Sequence, residues 1–161
     1  MFDLRFRWAR LSEFTAPQWH TILSVRQAVF VVEQSCPYQD ADDLDARSWH
    51  LLGDIEGQLS AYLRVVDPGR RFVHPGECYV EPSIGRVLTT KDYRGRGLGM
   101  AIMREGIAGC QRLFPGQGIR ISAQSYLIKF YRSLGFQVVG TEYLEDNIPH
   151  LEMLRTDPPT S

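Results

Sequence analysis

Between residues 87 and 99 the sequence reads Val-Leu-Thr-Thr-Lys-Asp-Tyr-Arg-Gly-Arg-Gly-Leu-Gly, a β-prone run followed by three alternating glycines. Met103, Gly106, Ile107, Cys110, Leu113 and Phe114 then recur at three-and-four spacing, so the turn opens onto a helix. The first amides of a helix have no partner within it and lie at the positive end of its dipole, and glycine lets a ligand come close to the backbone. Such a turn is an anion cradle, and phosphate suits it. Two familiar phosphate loops are excluded. There is no Gly-Lys-Ser/Thr ending, and the dinucleotide spacing fails because Ala101, Ile102 and Met103 follow Gly99. The acids Asp40, Asp42, Asp43 and Asp45 do not make a calcium loop, since Asp45 stands where glycine is needed and Leu51 where glutamate is needed. They read as a solvated acidic rim. Cys36 and His50 make no case for a nucleophilic pair, because nearness in sequence is not nearness in space.

The elements that must carry these residues follow from the periodicity. Phe2, Leu4, Phe6 and Trp8 alternate with Asp3, Arg5 and Arg7, the pattern of a half-buried strand. Thr15 is a helix N-cap with Pro17 in the first turn, and Trp19, Ile22, Leu23, Ala28, Phe30 and Val31 mark an amphipathic helix running to about Glu33. Residues 35–47 read as an exposed loop, and 49–55 and 59–66 as strands joined at Glu56-Gly57. Residues 67–82, rich in Pro and Gly, read as a long loop. Strands are expected at 84–90, 119–123, 137–143 and 150–155, helices from Gly99 and over 126–134 with a stop at Gly135, and a frayed tail at 157–161. This order predicts an α/β fold of the mixed α+β kind, with helices on the faces of a mixed sheet, in a single domain spanning 1–161.

Arg94-x-x-Gly97-x-Gly99 after a strand resembles the acyl-coenzyme A pyrophosphate loop of the GCN5-related N-acetyltransferases (GNAT), whose motif is Gln/Arg-x-x-Gly-x-Gly/Ala. Phe-Tyr-Arg-Ser-Leu-Gly-Phe at 130–136 resembles that family's Tyr-x-x-x-Gly-Phe segment, at a helix-to-strand junction downstream. The stretch 29–40, Val-Phe-Val-Val-Glu-Gln-Ser-Cys-Pro-Tyr-Gln-Asp, and Glu-Asp-Asn-Ile-Pro-His at 145–150 are similar to the ElaA subgroup. The likeness covers nearly the whole chain. It implies a central mixed, mainly antiparallel sheet flanked by helices on both faces, acetyl-CoA as cosubstrate, no metal, and direct transfer to a primary amine on a small molecule or peptide.

By that likeness the amides of Arg94, Gly95, Arg96, Gly97, Leu98 and Gly99 hold the pyrophosphate, and the main chain of Val87, Leu88 and Thr89 pairs with the pantetheine arm. A backbone N–H near Leu88 polarises the thioester carbonyl, Gln124 touches the coenzyme where many members carry Asn, and Tyr131 protonates the departing thiolate. For the base that leaves the attacking amine uncharged, Glu33 stands first, as head of the loop bordering the acceptor site, and His150 second. The acidic rim would attract a cationic amine. The alternative reading is a coenzyme-binding regulator without turnover.

The composition narrows partners. With 18 basic against 19 acidic residues in 161, a net charge of -1, the chain lacks a field for nucleic acid. The alternating N-terminus has no apolar stretch of signal or membrane-spanning length, and three cysteines without a CxxC pair fit a reducing compartment, so a cytoplasmic protein with no membrane partner is expected. Homodimers are common among soluble oligomers, and one is expected here.

Overall fold

The computed structural model describes residues 2–70, 72–74 and 77–156. The alternating N-terminus forms β1 (Leu4–Arg10). Thr15 then caps α1 (Ala16–Gln27): its hydroxyl accepts from the Gln18 amide at 3.3 Å, while the Gln18 side chain accepts from the Thr15 amide at 2.9 Å. α1 ends before the expected Glu33. Ala28–Glu33 continues as a wider π-helix, a form that clusters at functional sites. A 3₁₀ turn over Asp43–Arg47 leads into β2 (Ser48–Ile55) and β3 (Gln58–Val66). Their turn has positive φ at both Glu56 and Gly57, the two-residue geometry that matches strand twist.

The expected loop over 67–82 contains a small hairpin, β4 (Phe72–His74) with β5 (Glu77–Cys78). Next come β6 (Ser83–Thr89), α2 (Leu98–Leu113), β7 (Ile119–Gln124) and α3 (Ile128–Ser133). The strand expected at 137–143 is broken: β8 covers Gln137–Val138, Gly140 turns at φ +92°, and β9 (Tyr143–Glu145) follows. β10 (Ile148–Arg155) completes the chain, and the tail at 157–161 lies outside the described residues.

The main sheet has eight strands in the order β1-β2-β3-β6-β7-β10-β8, with β9 also pairing β10. Every pairing in it is antiparallel except β6 with β7. Period-two alternation divides β2 and β3 between two cores. Leu51, Ile55, Ala61, Leu63 and Val65 face α2 and α3, while Leu52 and Tyr62 face Ile22 of α1 on the other side. Helices therefore cover both faces, as expected. α2 lies close to the sheet because Gly106 and Gly109 are small, and a Cβ at Gly106 would stand 2.7 Å from a Leu63 methyl. Met103, Ile107 and Cys110 are buried on that helix, whereas Leu113, in the last turn, is exposed.

Candidate active site

β6 and β7 run together only at their start. Their parallel ladder joins Ser83 to Arg120 and Ile84 to Ile121, and then the strands part. Among the described residues, one edge of β6 faces no strand from residue 85 onward, while the other stays paired with β3. The β3–β6 register also slips. Tyr62 opposes Leu88 and Arg64 opposes Gly85, so Leu63 faces both Arg86 and Val87, a β-bulge with Arg86 at φ +52°.

Past the bulge, parity decides which backbone groups point where. The Thr90 amide donates to the Ser60 carbonyl on β3 at 2.9 Å, so Leu88, two residues earlier, also turns its N–H and C=O toward β3. Val87 and Thr89 turn theirs into the fork, and the Thr89 carbonyl accepts there from Arg94 Nε at 3.1 Å. Near Leu88, where the amide donor is expected, the backbone amide that faces the fork is that of Val87, and Leu88 contributes a buried side chain.

The fork opens a cavity of about 770 Å³. Val87, Leu88, Thr89 and Arg94 line one side, and Gln124, Tyr131 and His150 another. Glu33 and Phe30 border it from the π-helix. Gly95, Arg96, Gly97, Leu98 and Gly99 are not in its walls but lie just beyond Arg94. Gly95 and Gly97 have φ of +76° and +78°, with nothing among the described residues within 4 Å of a Cβ at either, and Gly97, the N-cap of α2, makes no side-chain cap hydrogen bond. The turn is therefore open on the side of the helix N-terminus. At Gly99 a Cβ would touch only the Phe130 ring at 3.9 Å, so alanine fits there. Leu98 is buried in the core, and Arg96 lies over the rings of Phe2 and Tyr93 at 4.9 and 5.5 Å.

Tyr131 is 8% exposed, edge-on to Phe130 and Phe136 with ring centroids 5.1 and 6.1 Å away. Burial, with a smaller push from Tyr126, raises its pKa to about 12, so its phenol carries a proton at neutral pH. His150 Nδ1 lies 2.6 Å from the Ile148 carbonyl. A carbonyl only accepts, so Nδ1 carries the hydrogen, and in the neutral ring Nε2 holds the free lone pair, 3.5 Å from a Glu145 oxygen. Ser122 joins this group through Tyr143 and, at 3.3 Å, Glu145. Glu33 is engaged differently, taking Arg94 Nη2 at 2.6 Å. Cys36 and His50 are not brought together. The Cys36 thiol faces the Asp146 carbonyl at 3.8 Å, whereas His50, wholly buried, lies between the Tyr62 hydroxyl at 2.7 Å and the Asp45 carbonyl at 2.9 Å. Among the described residues, no group of three or more His, Cys, Asp or Glu is placed to hold a metal ion, and no helix is long and apolar enough to cross a membrane.

Comparison with known proteins accords with this geometry. A family model described as an acetyltransferase (GNAT) domain matches residues 53–156. The chain belongs to the GNAT acetyltransferases. Relatives of this chain include a UPF0039 protein of Synechocystis, 42% identical over 158 residues and covering 98% of each chain. ElaA of Escherichia coli is 38% identical over 147 residues, 89% of this chain and 91% of ElaA. Among solved structures, an acyl-CoA N-acyltransferase from Pseudomonas aeruginosa matches with a TM-score of 0.86 at 38% identity, covering 96% of this chain and 100% of that one. The protein is an acyltransferase of this family.

One expectation is overturned in the loop over 35–47. Asp40, Asp42 and Asp45 are not a solvated rim. Arg26, a wholly buried side chain of α1, donates from Nε to Asp40 at 2.8 Å and from Nη1 to Asp45 at 2.6 Å. Arg64 binds Asp42 at 2.6 Å and Asp45 at 2.9 Å, and Arg86 binds Asp40 at 2.8 Å. Burial alone would raise the Asp45 carboxyl, but hydrogen bonding and charge from Arg26, with Arg64 behind, hold it below the usual range. Asp43 is exposed and Asp42 partly so, and most of the run's charge is taken up by the three arginines. Sequence reasoning missed Arg86 as well, and its signal was its place before Val87 in the strand leading to the cradle.

Proposed function

We propose that this acetyltransferase moves an acetyl group from acetyl-CoA to a primary amine of a small molecule or peptide, by direct attack with both substrates bound. One juxtaposition carries the reading: an open, uncapped helix N-terminus at Gly97 adjoins the unpaired edge of β6, and the Tyr131 phenol stands in the cavity along that edge. The α2 amides suit a pyrophosphate, with Arg94 beside them. Val87 and Thr89 offer the amide arm of the coenzyme the groups that a neighbouring strand would otherwise take. In this reading the thioester lies near the Val87 N–H, which stabilises the carbonyl oxygen as it gains charge.

His150 Nε2, whose lone pair is held in place by the Ile148 contact, receives one proton from the substrate ammonium. Glu33, already bound to Arg94, is the weaker candidate. The amine lone pair forms the C–N bond at the thioester carbon and the C–S bond breaks. Sulfur takes the Tyr131 proton, and the second amine proton, released as the amide forms, restores the phenol. Titration calorimetry with acetyl-CoA, on the wild type and on a Gly97→Val, Gly99→Val variant, tests the reading. Saturable micromolar binding that the variant loses is expected, followed by coenzyme thiol release in a panel of primary amines. Absence of binding to the wild type overturns the coenzyme assignment, and binding without turnover on any amine favours a regulator.

A further inference from the structure

The bulge at Arg86 decides which amides of β6 face the cavity. Before it, Gly85 opposes Arg64. Without the extra residue, Arg86 would oppose Leu63 and Val87 would oppose Tyr62, and a one-residue slip reverses the direction of every later backbone group. The N–H of Val87 would then turn to β3, and the fork would present Leu88 instead. The bulge thus sets the hydrogen-bonding face that the proposed coenzyme arm and thioester meet.

Its backbone is not the one this sequence favours. Arg86 has φ +52°, a left-handed conformation that disfavours side chains with a Cβ, although Gly85 stands one position earlier. Such conformations persist where the surroundings over-determine them. Here they do so through the side chain. Arg86 Nε donates to Asp40 Oδ1 at 2.8 Å, its Nη2 to the Asp40 carbonyl at 3.2 Å, and its guanidinium lies 5.5 Å from the Tyr38 ring centre. Asp40 is itself fixed from below by the wholly buried Arg26.

We propose that Arg86 is a positioning residue for the transfer reaction: its clamp on Asp40 holds the left-handed bulge that aims the Val87 and Thr89 backbone into the fork. The chain of support runs from α1 through Arg26 and Asp40 to the strand edge, so the buried Arg26 and Asp40 serve the site through the backbone of β6, while Arg86 itself borders the cavity. The inference rests on the coenzyme reading given above.

Glycine provides the decisive substitution, because it adopts positive φ without the clamp. Acetyl-CoA binding is measured by calorimetry on the wild type, Arg86→Ala and Arg86→Gly, each checked for cooperative thermal unfolding. Arg86→Ala, with neither clamp nor conformational freedom, weakens binding by about tenfold, while Arg86→Gly stays within about threefold of the wild type. Equal losses in the two variants overturn the proposal in favour of direct contact by the guanidinium, and equal retention overturns it by leaving the side chain without a role. Should Arg86→Ala fail to fold, Asp40→Asn reads the clamp from its other end. It weakens binding in the wild-type background and has no further effect in Arg86→Gly, and a full loss in both backgrounds refutes the clamp. A wild type that binds no acetyl-CoA removes the coenzyme reading, and this inference with it. A wild type that binds, with Ala and Gly variants alike, removes this inference alone.

Discussion

Replacing Arg26 by Met is the sharpest test of what holds the loop over the site. The side chain is 0% exposed and makes contacts of 2.8 and 2.6 Å to Asp40 and Asp45, themselves almost wholly buried. Methionine fills similar space and leaves those carboxylates short of a partner. Removing one member of a buried ion pair costs about 3–5 kcal/mol. The lower end applies here, because Asp40 keeps Arg86 and Asp45 keeps Arg64. At about 2–4 °C per kcal/mol for a chain of this size, the midpoint of thermal unfolding falls by about 6–12 °C at pH 7. The pH dependence identifies the cause. Asp45 in the wild type is held below the ordinary carboxylate range, so its stabilisation is present above the unfolded pKa of about 3.9 and is lost only as pH falls through the lower folded value. In the variant the partly unpaired acids take up protons sooner, and the deficit against the wild type shrinks as pH is lowered toward 4. Circular dichroism melts of both proteins between pH 7 and pH 4 make the comparison. A fall below about 2 °C, or a deficit that is the same at every pH, would show that the charges are not what Arg26 contributes.

Two further outcomes follow from the titrating groups of the site and core. Burial lowers the His50 pKa to about 4. An unfolded chain takes up that proton near pH 6.5 and the folded one does not, so this group contributes full stability above about 6.5 and withdraws up to about 3 kcal/mol as pH falls to 4. NMR titration of the His50 ring reads this directly, and an imidazole that titrates above pH 6 refutes it. Tyr131→Phe removes only the phenol oxygen. It lowers kcat on an accepted amine by about 10²–10⁴ while acetyl-CoA affinity and melting temperature change little, and an unchanged kcat excludes Tyr131 as the proton donor.

The parts of the molecule legible in sequence are those set by neighbours along the chain. The capping box at Thr15, the turn at Glu56-Gly57 and the glycine turn before α2 are local devices, and each stands where its residues place it. The helix bearing Tyr131 and its stop at Gly135, with φ +91°, are equally local. The acidic run was misread because charge is visible in a sequence and neutralisation is not: Arg26, Arg64 and Arg86 lie 14, 19 and 46 positions from the acids they bind. The bulge was hidden for a related reason. Positive φ normally points to glycine, and here it falls on arginine because a distant aspartate outweighs the local preference. α1 was expected to continue to Glu33 because its apolar spacing persists, yet the backbone widens at Ala28 into a π-helix whose Phe30 and Glu33 border the cavity.

The parting of β6 from β7 has a bearing on how this protein keeps to itself. A strand with unsatisfied amides is a template on which other chains can polymerise, and most proteins blunt such strands at their periphery. Here the vacant template lies inside the sheet, between two strands that still meet at Ile84 and Ile121. That seam closes one end of the slot, and the π-helix bearing Phe30 and Glu33 borders it. A slender ligand with amides of its own can complete the ladder there, whereas a second polypeptide would have to force the seam apart, so this open strand edge is shielded from aggregation by where it lies.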